Sequence, residues 1–333
     1  MAQGMSATQN ETQNQRASNV EVEPEYAGQR LDNFLLARLK GVPRSHVYRL
    51  IRSGQVRVNS GRVRANYRVC AGDRVRLPPV ARRKDPETQL PQDGLKWLEE
   101  RVLFEDDRLL VLDKPSGMAV HAGTGIDFGC IEALRSLRIN HPGLDLVHRL
   151  DRGTSGCLLV AKRRSVLKAL HALIRSGSIE KRYLALVKGS WQYGRTTVRD
   201  RLTVVRRRSG ESFTRVDSSG KNAISEFRVV ENYGKRATLM EVRIGTGRMH
   251  QIRVHAAHMG HPIAGDEGYG DEAFNSKMSS RGLRRLFLHA NAVGFTWPDS
   301  GEEFMVGAPL PDALREVQGV LETSGSRPRS RRV

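Results

Sequence analysis

Apolar and polar positions in the first quarter of the chain follow two different periods. Residues 30–39 and 43–53 each carry apolar side chains at helical spacing, which predicts two short helices with one buried face each. Residues 55–59 and 74–77 instead alternate apolar and polar side chains, a pattern typical of strands. The sequence therefore predicts a small module of two helices and a β-hairpin.

Strand and helix patterns also interleave along the rest of the sequence. Runs of strand character occur at 102–114, 157–161, 183–187, 225–231, 237–244, 287–290 and 304–306. Helical spacing occurs at 130–137, 165–176, 250–259 and 311–321. The short turn at Tyr233-Gly234 favours antiparallel pairing of the strands that flank it. We therefore predict an α+β protein.

Composition adds a strong charge bias. The 333 residues include 55 Lys and Arg against 36 Asp and Glu, a formal net charge of +19. This balance implies a polyanionic partner, and because no apolar stretch approaches the ~18 residues of a membrane span, we expect nucleic acid and no membrane. Residues 1–19 lack the apolar core of a signal peptide, so we expect a cytoplasmic location. The three cysteines form no close pair, which argues against a disulfide framework.

Changes in composition divide the chain into five segments. Residues 1–24 are rich in polar side chains that cannot offset the entropy of ordering them. Pro78-Pro79 and a charged run then separate the small module from the rest. We predict a disordered tail at 1–24, the small module at 25–79, a linker at 80–97, a large domain at 98–322 and a basic tail at 323–333.

The small module carries much of the positive charge. Between Gly28 and Arg76, eleven Arg and one Lys stand against Asp32 and Asp73, an excess of twelve minus two, or +10. Two helices and a basic hairpin resemble the S4 RNA-binding module, which implies a surface that binds phosphates. The alternative is a basic but inert face. The expected phosphate contacts are Arg44, Arg49, Arg52 and Arg57.

The stretch 148–162 contains the clearest candidate for chemistry. Asp151 lies between Arg149 and Arg152 in a turn-rich segment that leads into an apolar run. Neighbouring guanidinium groups favour the charged form of a carboxyl, so Asp151 suits a nucleophile or electrostatic partner better than an acid. The alternative is a surface salt bridge that caps a strand.

Several motifs occur in the order in which one family carries them. They are His148-Arg149-Leu150-Asp151 with Thr154-Ser155-Gly156, Leu112-Asp113-Lys114-Pro115-Ser116-Gly117, Lys181-Arg182-Tyr183, Gly247-Arg248-Met249-His250-Gln251-Ile252-Arg253-Val254-His255 and Gly260-His261-Pro262-Ile263. In these motifs the chain resembles the RluA-type pseudouridine synthases over roughly residues 25–320, and segments 41–45 and 120–125 resemble the members that act on large-subunit ribosomal RNA. The resemblance implies a mixed, mainly antiparallel central sheet flanked by helices, preceded by the S4 module.

The resemblance also implies roles for single residues. Asp151 matches the catalytic aspartate, Tyr183 the tyrosine expected to stack on the target uracil, and Arg253 the arginine that pairs with the aspartate. Arg248 is expected near the same pocket, and Arg149 is expected to fill the space that a flipped-out uridine leaves. From the sequence alone, Arg253 could equally pair with another buried acid.

The implied reaction converts uridine to pseudouridine in large-subunit ribosomal RNA. The N1–C1′ bond breaks, the base turns and C5 joins C1′, so we expect no cofactor. We expect no metal either, because the four histidines at 250, 255, 258 and 261 lack a carboxylate or thiolate to complete a set. Whether Asp151 acts at C1′ or C2′, or adds to C6, stays open. We expect a monomer.

Three alternatives remain. The same chemistry could act at other ribosomal sites or on transfer RNA without any change in these motifs. The small module also occurs in non-catalytic ribosome-binding proteins, although the set Asp151, Tyr183 and Arg253 argues against that function. A phosphotransferase is disfavoured, because its loop needs Asp directly after Arg and an Asn downstream, which 148–162 lacks.

Overall fold

A computed structural model of the chain describes residues 17–39, 42, 44–80, 94–123, 128–138, 143–206 and 212–323. The chain divides into two compact units, Met1–Gln89 and Leu90–Val333. No helix in these described ranges is both long and apolar enough to cross a membrane. Most of the predicted tail (1–16), most of the predicted linker (81–93) and most of the predicted basic tail (324–333) lie outside the described residues.

The N-terminal unit contains the two predicted helices and a small antiparallel sheet. The strands are β1 (Ser18–Glu21), β2 (Arg57–Val58) and β3 (Arg74–Leu77), and β3 lies between the other two. The helices are α1 (Leu31–Arg38) and α2 (Arg44–Arg52). Phe34 of α1, Val47 of α2 and Val75 of β3 are fully buried in one core. The apolar stripes predicted from the sequence therefore meet on the inner side of this unit.

The predicted disorder up to residue 24 is wrong from Ser18 onward. β1 pairs with β3, and Val20 lies opposite Val75. A 3-10 helix follows at Pro24–Tyr26, and Val22 between them is almost fully buried. Val20 and Val22 pack against the core of this unit, and β3 supplies partners for the main-chain groups of the segment.

The C-terminal unit is built on one sheet. Its strands are β4 (Val102–Glu105), β5 (Leu109–Lys114), β6 (Asp145–Leu146), β7 (Ser155–Ala161), β8 (Glu180–Lys188), β9 (Thr196–Arg206), β10 (Ser212–Val216), β11 (Lys221–Asn232), β12 (Ala237–Ile244), β13 (Leu288–Thr296) and β14 (Glu303–Gly307). The main order is β10-β9-β11-β12-β8-β13-β7-β5-β4, with β14 beside β13 and β6 beside β7. The pairings of the described strands are antiparallel except that of β13 with β7. The predicted mixed, mainly antiparallel sheet is confirmed.

Helices pack on this sheet through separate apolar clusters. They are α3 (Cys130–Leu137), α4 (Arg164–Ser176), α5 (Gln251–His258), α6 (Glu272–Ser279) and α7 (Asp312–Thr323). Leu134 of α3 and Ile252 of α5 share a core with strand residues, whereas Leu170 of α4 and Leu314 of α7 belong to two other clusters. Gly177 ends α4 in the left-handed conformation, as its place in the sequence predicts.

The predicted linker is wrong at its C-terminal end. Leu95 and Leu98 are buried in the core of the C-terminal unit, and Lys96–Arg101 form a 3-10 helix that leads into β4. Burying two leucine side chains stabilises this segment by a few kcal/mol, roughly 1.5 to 3 kcal/mol each. The large unit therefore begins before residue 98.

Candidate active site

The loop before β7 holds Asp151 at the start of a fully buried strand. Every residue of β7 is buried, and β5 and β13 pair with it on either side. His148 accepts a hydrogen bond from the Leu159 N–H at 3.1 Å, and the Thr154 N–H donates to the Asp151 carbonyl oxygen at 3.0 Å. The loop is thus tied to the strand both before and after Asp151.

Gly156 allows β7 and β13 to approach each other closely. Its φ is +107°, and a Cβ at this position would lie 2.2 Å from the Ala290 carbonyl oxygen. Gly156 is paired with Ala290, and Ser155 with His289, in the parallel part of the sheet. Any side chain at position 156 would push β13 away from the strand that carries Asp151.

A buried lysine supports the same loop. Lys114 at the end of β5 is fully buried and donates to the carbonyl oxygens of Pro115, Met118 and Arg152 at 2.8, 2.7 and 3.2 Å. Burial lowers the pKa of Lys114 to about 8. Its ammonium therefore joins the turn after β5 to the residue that follows Asp151.

Ser155, His289 and Arg285 form a second support. The Ser155 hydroxyl accepts from Arg285 at 2.7 Å and lies 2.8 Å from Nδ1 of His289, whose Nε2 lies 3.2 Å from the Ala308 carbonyl oxygen. A carbonyl oxygen only accepts, so Nε2 carries the proton and Nδ1 accepts from Ser155. Burial lowers the pKa of His289 to about 4, so the ring is neutral near pH 7. A hydrogen-bonded chain that runs from the Ala308 carbonyl oxygen through His289 thus fixes the start of β7.

A cavity of about 380 Å³ opens beside Asp151. All five residues predicted for the site line it: Asp151, Arg149, Tyr183, Arg248 and Arg253. The Asp151 side chain is 19% exposed, so solvent and substrate can reach it. Asp151 is the only carboxylate among the lining residues, which include four arginines and a lysine. This charge distribution favours an anionic or electron-rich ligand.

Arg253 contacts two carboxylates at once. Its Nε and Nη2 donate to Asp266 at 2.7 Å each, while its Nη1 lies 3.7 Å from Oδ2 of Asp151. Asp266 is fully buried and also accepts from the N–H groups of Gly268 and Tyr269. Burial is the largest single influence and opposes the charged form of Asp266, but the hydrogen bonds and charge of Arg253 together with the two main-chain N–H groups outweigh it, so the pKa of Asp266 is lowered. The structure therefore brings Arg253 to the catalytic candidate and to a core acid, the two partners that the sequence left open.

His250 is a neighbour of Asp151 that the sequence analysis considered only as a metal ligand. It adopts the left-handed conformation (φ 55°) directly before α5, which is uncommon for a non-glycine residue and often marks a functional site. Its Nε2 lies 3.9 Å from Asp151, and its Nδ1 lies 2.9 Å from the Tyr269 hydroxyl. The Thr214 N–H already donates to this hydroxyl at 2.7 Å, which leaves the hydroxyl proton for Nδ1. Burial lowers the pKa of His250, so a neutral ring directs Nε2–H toward Asp151.

Tyr183 supplies an aromatic surface inside the cavity. Its side chain is buried, and burial together with the charge of Asp151 raises its pKa, so the phenol stays neutral. Arg149 and Arg248 also line the cavity but are exposed. The Nε of Arg248 donates to the Asn222 carbonyl oxygen at 3.1 Å. The cavity thus combines a buried ring with guanidinium groups at its solvent-exposed edge.

The histidines around α5 have separate partners. Nδ1 of His255 lies 2.9 Å from the Ser225 hydroxyl, and Nδ1 of His261 lies 2.7 Å from the Lys188 carbonyl oxygen. In the part of the chain that the structure describes, no three His, Cys, Asp or Glu side chains are grouped so that they could hold a metal ion.

In the N-terminal unit, the arginines predicted to bind RNA lie on α2 and β2. Arg49 and Arg52 are exposed in the last turn of α2, and Arg57 is exposed on β2. Arg44 begins α2, but its side chain lies outside the described residues.

Arg57 also lines a groove of about 520 Å³ in this unit, the basic groove. Its other basic residues are Arg74 and Arg76, which alternate with buried positions along β3. Asn19, Asn59 and Ser60 complete the lining, so none of the lining residues is acidic. The charge counts of the sequence included these two arginines but did not select them as a site.

Comparison with known proteins agrees with both units. Residues 108–258 match the family RNA pseudouridylate synthase, and residues 29–75 match the S4 domain. The chain therefore belongs to the RNA pseudouridylate synthase family and is an RNA pseudouridine synthase with an S4 domain.

Similar proteins extend over nearly the whole chain. The ribosomal large subunit pseudouridine synthase C of Yersinia pestis is 49% identical over 306 residues, which cover 91% of this chain and 95% of that protein. The protein of the same name from Salmonella typhimurium is 48% identical over 92% of this chain and 97% of its own. Among solved structures, human RNA pseudouridylate synthase domain containing 4 aligns with a TM-score of 0.58 and 23% identity, covering 69% of this chain and 96% of that one. This structural likeness confirms the fold.

Proposed function

We propose that this enzyme isomerises specific uridines of large-subunit ribosomal RNA to pseudouridine, with Asp151 as the catalytic carboxylate. The position of Asp151 carries the proposal, because it is the one carboxylate in a cavity lined by four arginines and lies 3.7 Å from Arg253. The relatives that are 49% and 48% identical to the chain are named ribosomal large subunit pseudouridine synthase C, which supports large-subunit ribosomal RNA as the target.

In the proposed reaction the target uridine leaves the RNA stack and its base enters the cavity. Unstacking costs on the order of a few kcal/mol, which Arg149 offsets by filling the space that the base leaves. Tyr183 stacks on the uracil ring, and Arg253 holds the Asp151 carboxylate in one orientation. After the N1–C1′ bond opens, the base turns and C5 bonds to C1′. One proton leaves C5 and one is taken up at N1, so atoms and charge balance without a co-reactant.

The proposal includes a monomer that works in the cytoplasm, where ribosomal RNA is found. Arg44, Arg49, Arg52 and Arg57 of the S4 unit are proposed to contact phosphates outside the target nucleotide, and Arg248 at the exposed edge of the cavity is proposed to contact phosphates next to it.

Mapping pseudouridines in RNA from cells that lack this gene tests the target. We expect specific large-subunit positions to carry uridine in the deletion strain and pseudouridine again when the wild-type gene is restored. Changes confined to transfer RNA or to the small subunit would replace the proposed target with another RNA. An unchanged pseudouridine map would contradict the proposed function.

Replacing Arg57, Arg74 and Arg76 with glutamine should weaken RNA binding and flatten its salt dependence. Each phosphate contact that is lost should reduce the slope of log affinity against log salt by about 0.7 to 0.9, so the three together should reduce it by about 2 to 3. Fluorescence anisotropy over a series of salt concentrations measures this slope.

The matched control removes three exposed arginines that already pair with carboxylates, Arg163, Arg195 and Arg315. Because these charges are already compensated, the control should keep the wild-type slope. Equal slopes for wild type and the first variant would exclude the basic groove from RNA binding.

A further inference from the structure

Lys181 is a charged residue of the cavity that none of the roles above uses. It lies two residues before Tyr183 on β8, so both side chains point to the same face of the sheet, and both line the cavity. Only 9% of Lys181 is exposed. Among the described residues, none forms a hydrogen bond or an ion pair with its ammonium. The cavity thus contains a nearly buried cation without a counter-ion.

The groups around Lys181 do not compensate its charge. Burial, with a contribution from Lys181 itself, lowers the pKa of His148 to about 4, so this ring is neutral near pH 7. Glu180 precedes Lys181 on the strand, points to the opposite face and pairs with Arg182 at 2.8 Å. Asp151 faces Arg253 at 3.7 Å and the neutral ring of His250 at 3.9 Å instead. A charge that is largely removed from water and has no protein partner is costly, so an electron-rich ligand in the cavity would stabilise it.

We propose that Lys181 is a second catalytic residue, which donates a hydrogen bond to a carbonyl oxygen of the target uracil and stabilises the negative charge that develops there. This inference rests on the proposed isomerisation. Residues two apart on a strand are separated by about 7 Å, so a base stacked on Tyr183 has its edge near the Lys181 ammonium. A phosphate fits less well, because the exposed Arg149 and Arg175 of the cavity are easier for the RNA backbone to reach.

Negative charge grows on a uracil carbonyl oxygen whichever bond changes first. If the N1–C1′ bond breaks first, its electron pair stays on N1 and is shared with O2 and O4. If Asp151 instead adds to C6, the C5=C6 pair moves to C5 and O4. In both routes the N1–C1′ bond breaks, C5 bonds to C1′ and loses its proton, and N1 gains one. On the addition route the electron pair of the C5–H bond re-forms C5=C6 and the Asp151–C6 bond breaks, which returns the carboxylate, so the reaction stays an isomerisation. A cation beside such an oxygen stabilises the charge that develops on it.

The first test replaces Lys181 with methionine, which keeps the length of the side chain and removes its charge. We expect the single-turnover rate of pseudouridine formation to fall by about 10²-fold to 10³-fold, while the affinity for RNA stays close to that of wild type. Because the change removes an unpaired buried charge, the thermal midpoint should not fall. Lys168→Met is the matched control, since this exposed lysine of α4 lies outside the cavity lining, and it should keep the full rate.

A second test identifies the oxygen with RNA that carries 2-thiouridine or 4-thiouridine at the target, because sulfur is a weak hydrogen-bond acceptor. At the contacted position, sulfur should slow the wild type but cause no further loss in Lys181→Met, as expected for two changes that remove one contact. A folded Lys181→Met enzyme with the wild-type rate would overturn the assignment, as would independent losses at both positions. If the wild-type enzyme does not convert the unmodified target RNA, the proposed function itself is disproved.

Discussion

Asp151→Asn should abolish isomerisation and leave RNA binding intact. Asparagine keeps the size of the side chain but can neither attack carbon nor accept a proton, so the turnover number should fall by at least about 10³-fold. The affinity for RNA should be equal or slightly higher, because the change removes a negative charge from a basic cavity. Single-turnover assays and binding titrations on the same RNA separate these two effects.

Asp107→Asn is the matched control for this change. Asp107 belongs to the same unit but is exposed and pairs with Arg163 at the surface, so the control should keep the full rate. A rate for Asp151→Asn within tenfold of wild type would exclude this carboxylate from the chemistry.

Asp266→Asn should slow the reaction by about 10²-fold although Asp266 does not line the cavity. Asp266 accepts two 2.7 Å hydrogen bonds from Arg253 and so orients the guanidinium whose third nitrogen faces Asp151. The asparagine side chain is uncharged and its amide can turn an N–H group toward that guanidinium, so the buried ion pair with Arg253 is lost. We expect the free energy of unfolding to fall by about 3 kcal/mol, so the rate is measured at a temperature where the variant is fully folded.

The control for Asp266 is Asp217→Asn, which changes an aspartate that also pairs with an arginine and accepts a main-chain N–H, but in the connection between β10 and β11. It should leave the rate unchanged. The double variant of Asp266→Asn and Arg253→Gln should be no slower than Arg253→Gln alone. If Asp266 acts only by orienting Arg253, its loss has no further effect once Arg253 is absent. Additive losses would show that Asp266 acts independently of Arg253.

The sequence predicted those elements of the fold whose side chains repeat with a clear period. The apolar stripes of α1 and α2 and the alternation in β11 and β12 led to the observed helices and strands. The strand at Ser18–Glu21 and the helix at Lys96–Arg101 were missed. Both are short and polar, and both are stabilised by partners that are distant in the sequence. The strand pairs with β3, and Leu98 of the helix packs into the core of the C-terminal unit.

The five predicted cavity residues were found because their motifs occur together in one family. They come from three separate segments of the sequence, and the structure places them around one cavity. Local chemistry alone did not distinguish Asp151 from a surface salt bridge. What distinguishes it is its position in a cavity lined by arginines, which no local pattern contains.

The remaining residues of the site could not be selected from the sequence. Asp266 is one of many aspartates until its side chain is seen between Arg253 and two main-chain N–H groups. His250 was considered only for metal binding, because its left-handed backbone and its contact with Tyr269 depend on the folded chain. The positive φ of His250 and the lack of a partner for Lys181 are three-dimensional properties.

The support of β7 by β13 also determines when during synthesis the enzyme can become active. Ser155 and His289, which hold the start of β7 in place, are 134 positions apart in the chain. Contacts between residues so far apart in the sequence form slowly, because closing the long loop between them costs entropy first. A nascent polypeptide therefore cannot shape the loop around Asp151 until translation has passed β13. The loop that carries Asp151 should thus reach its final shape only after β13 has left the ribosome.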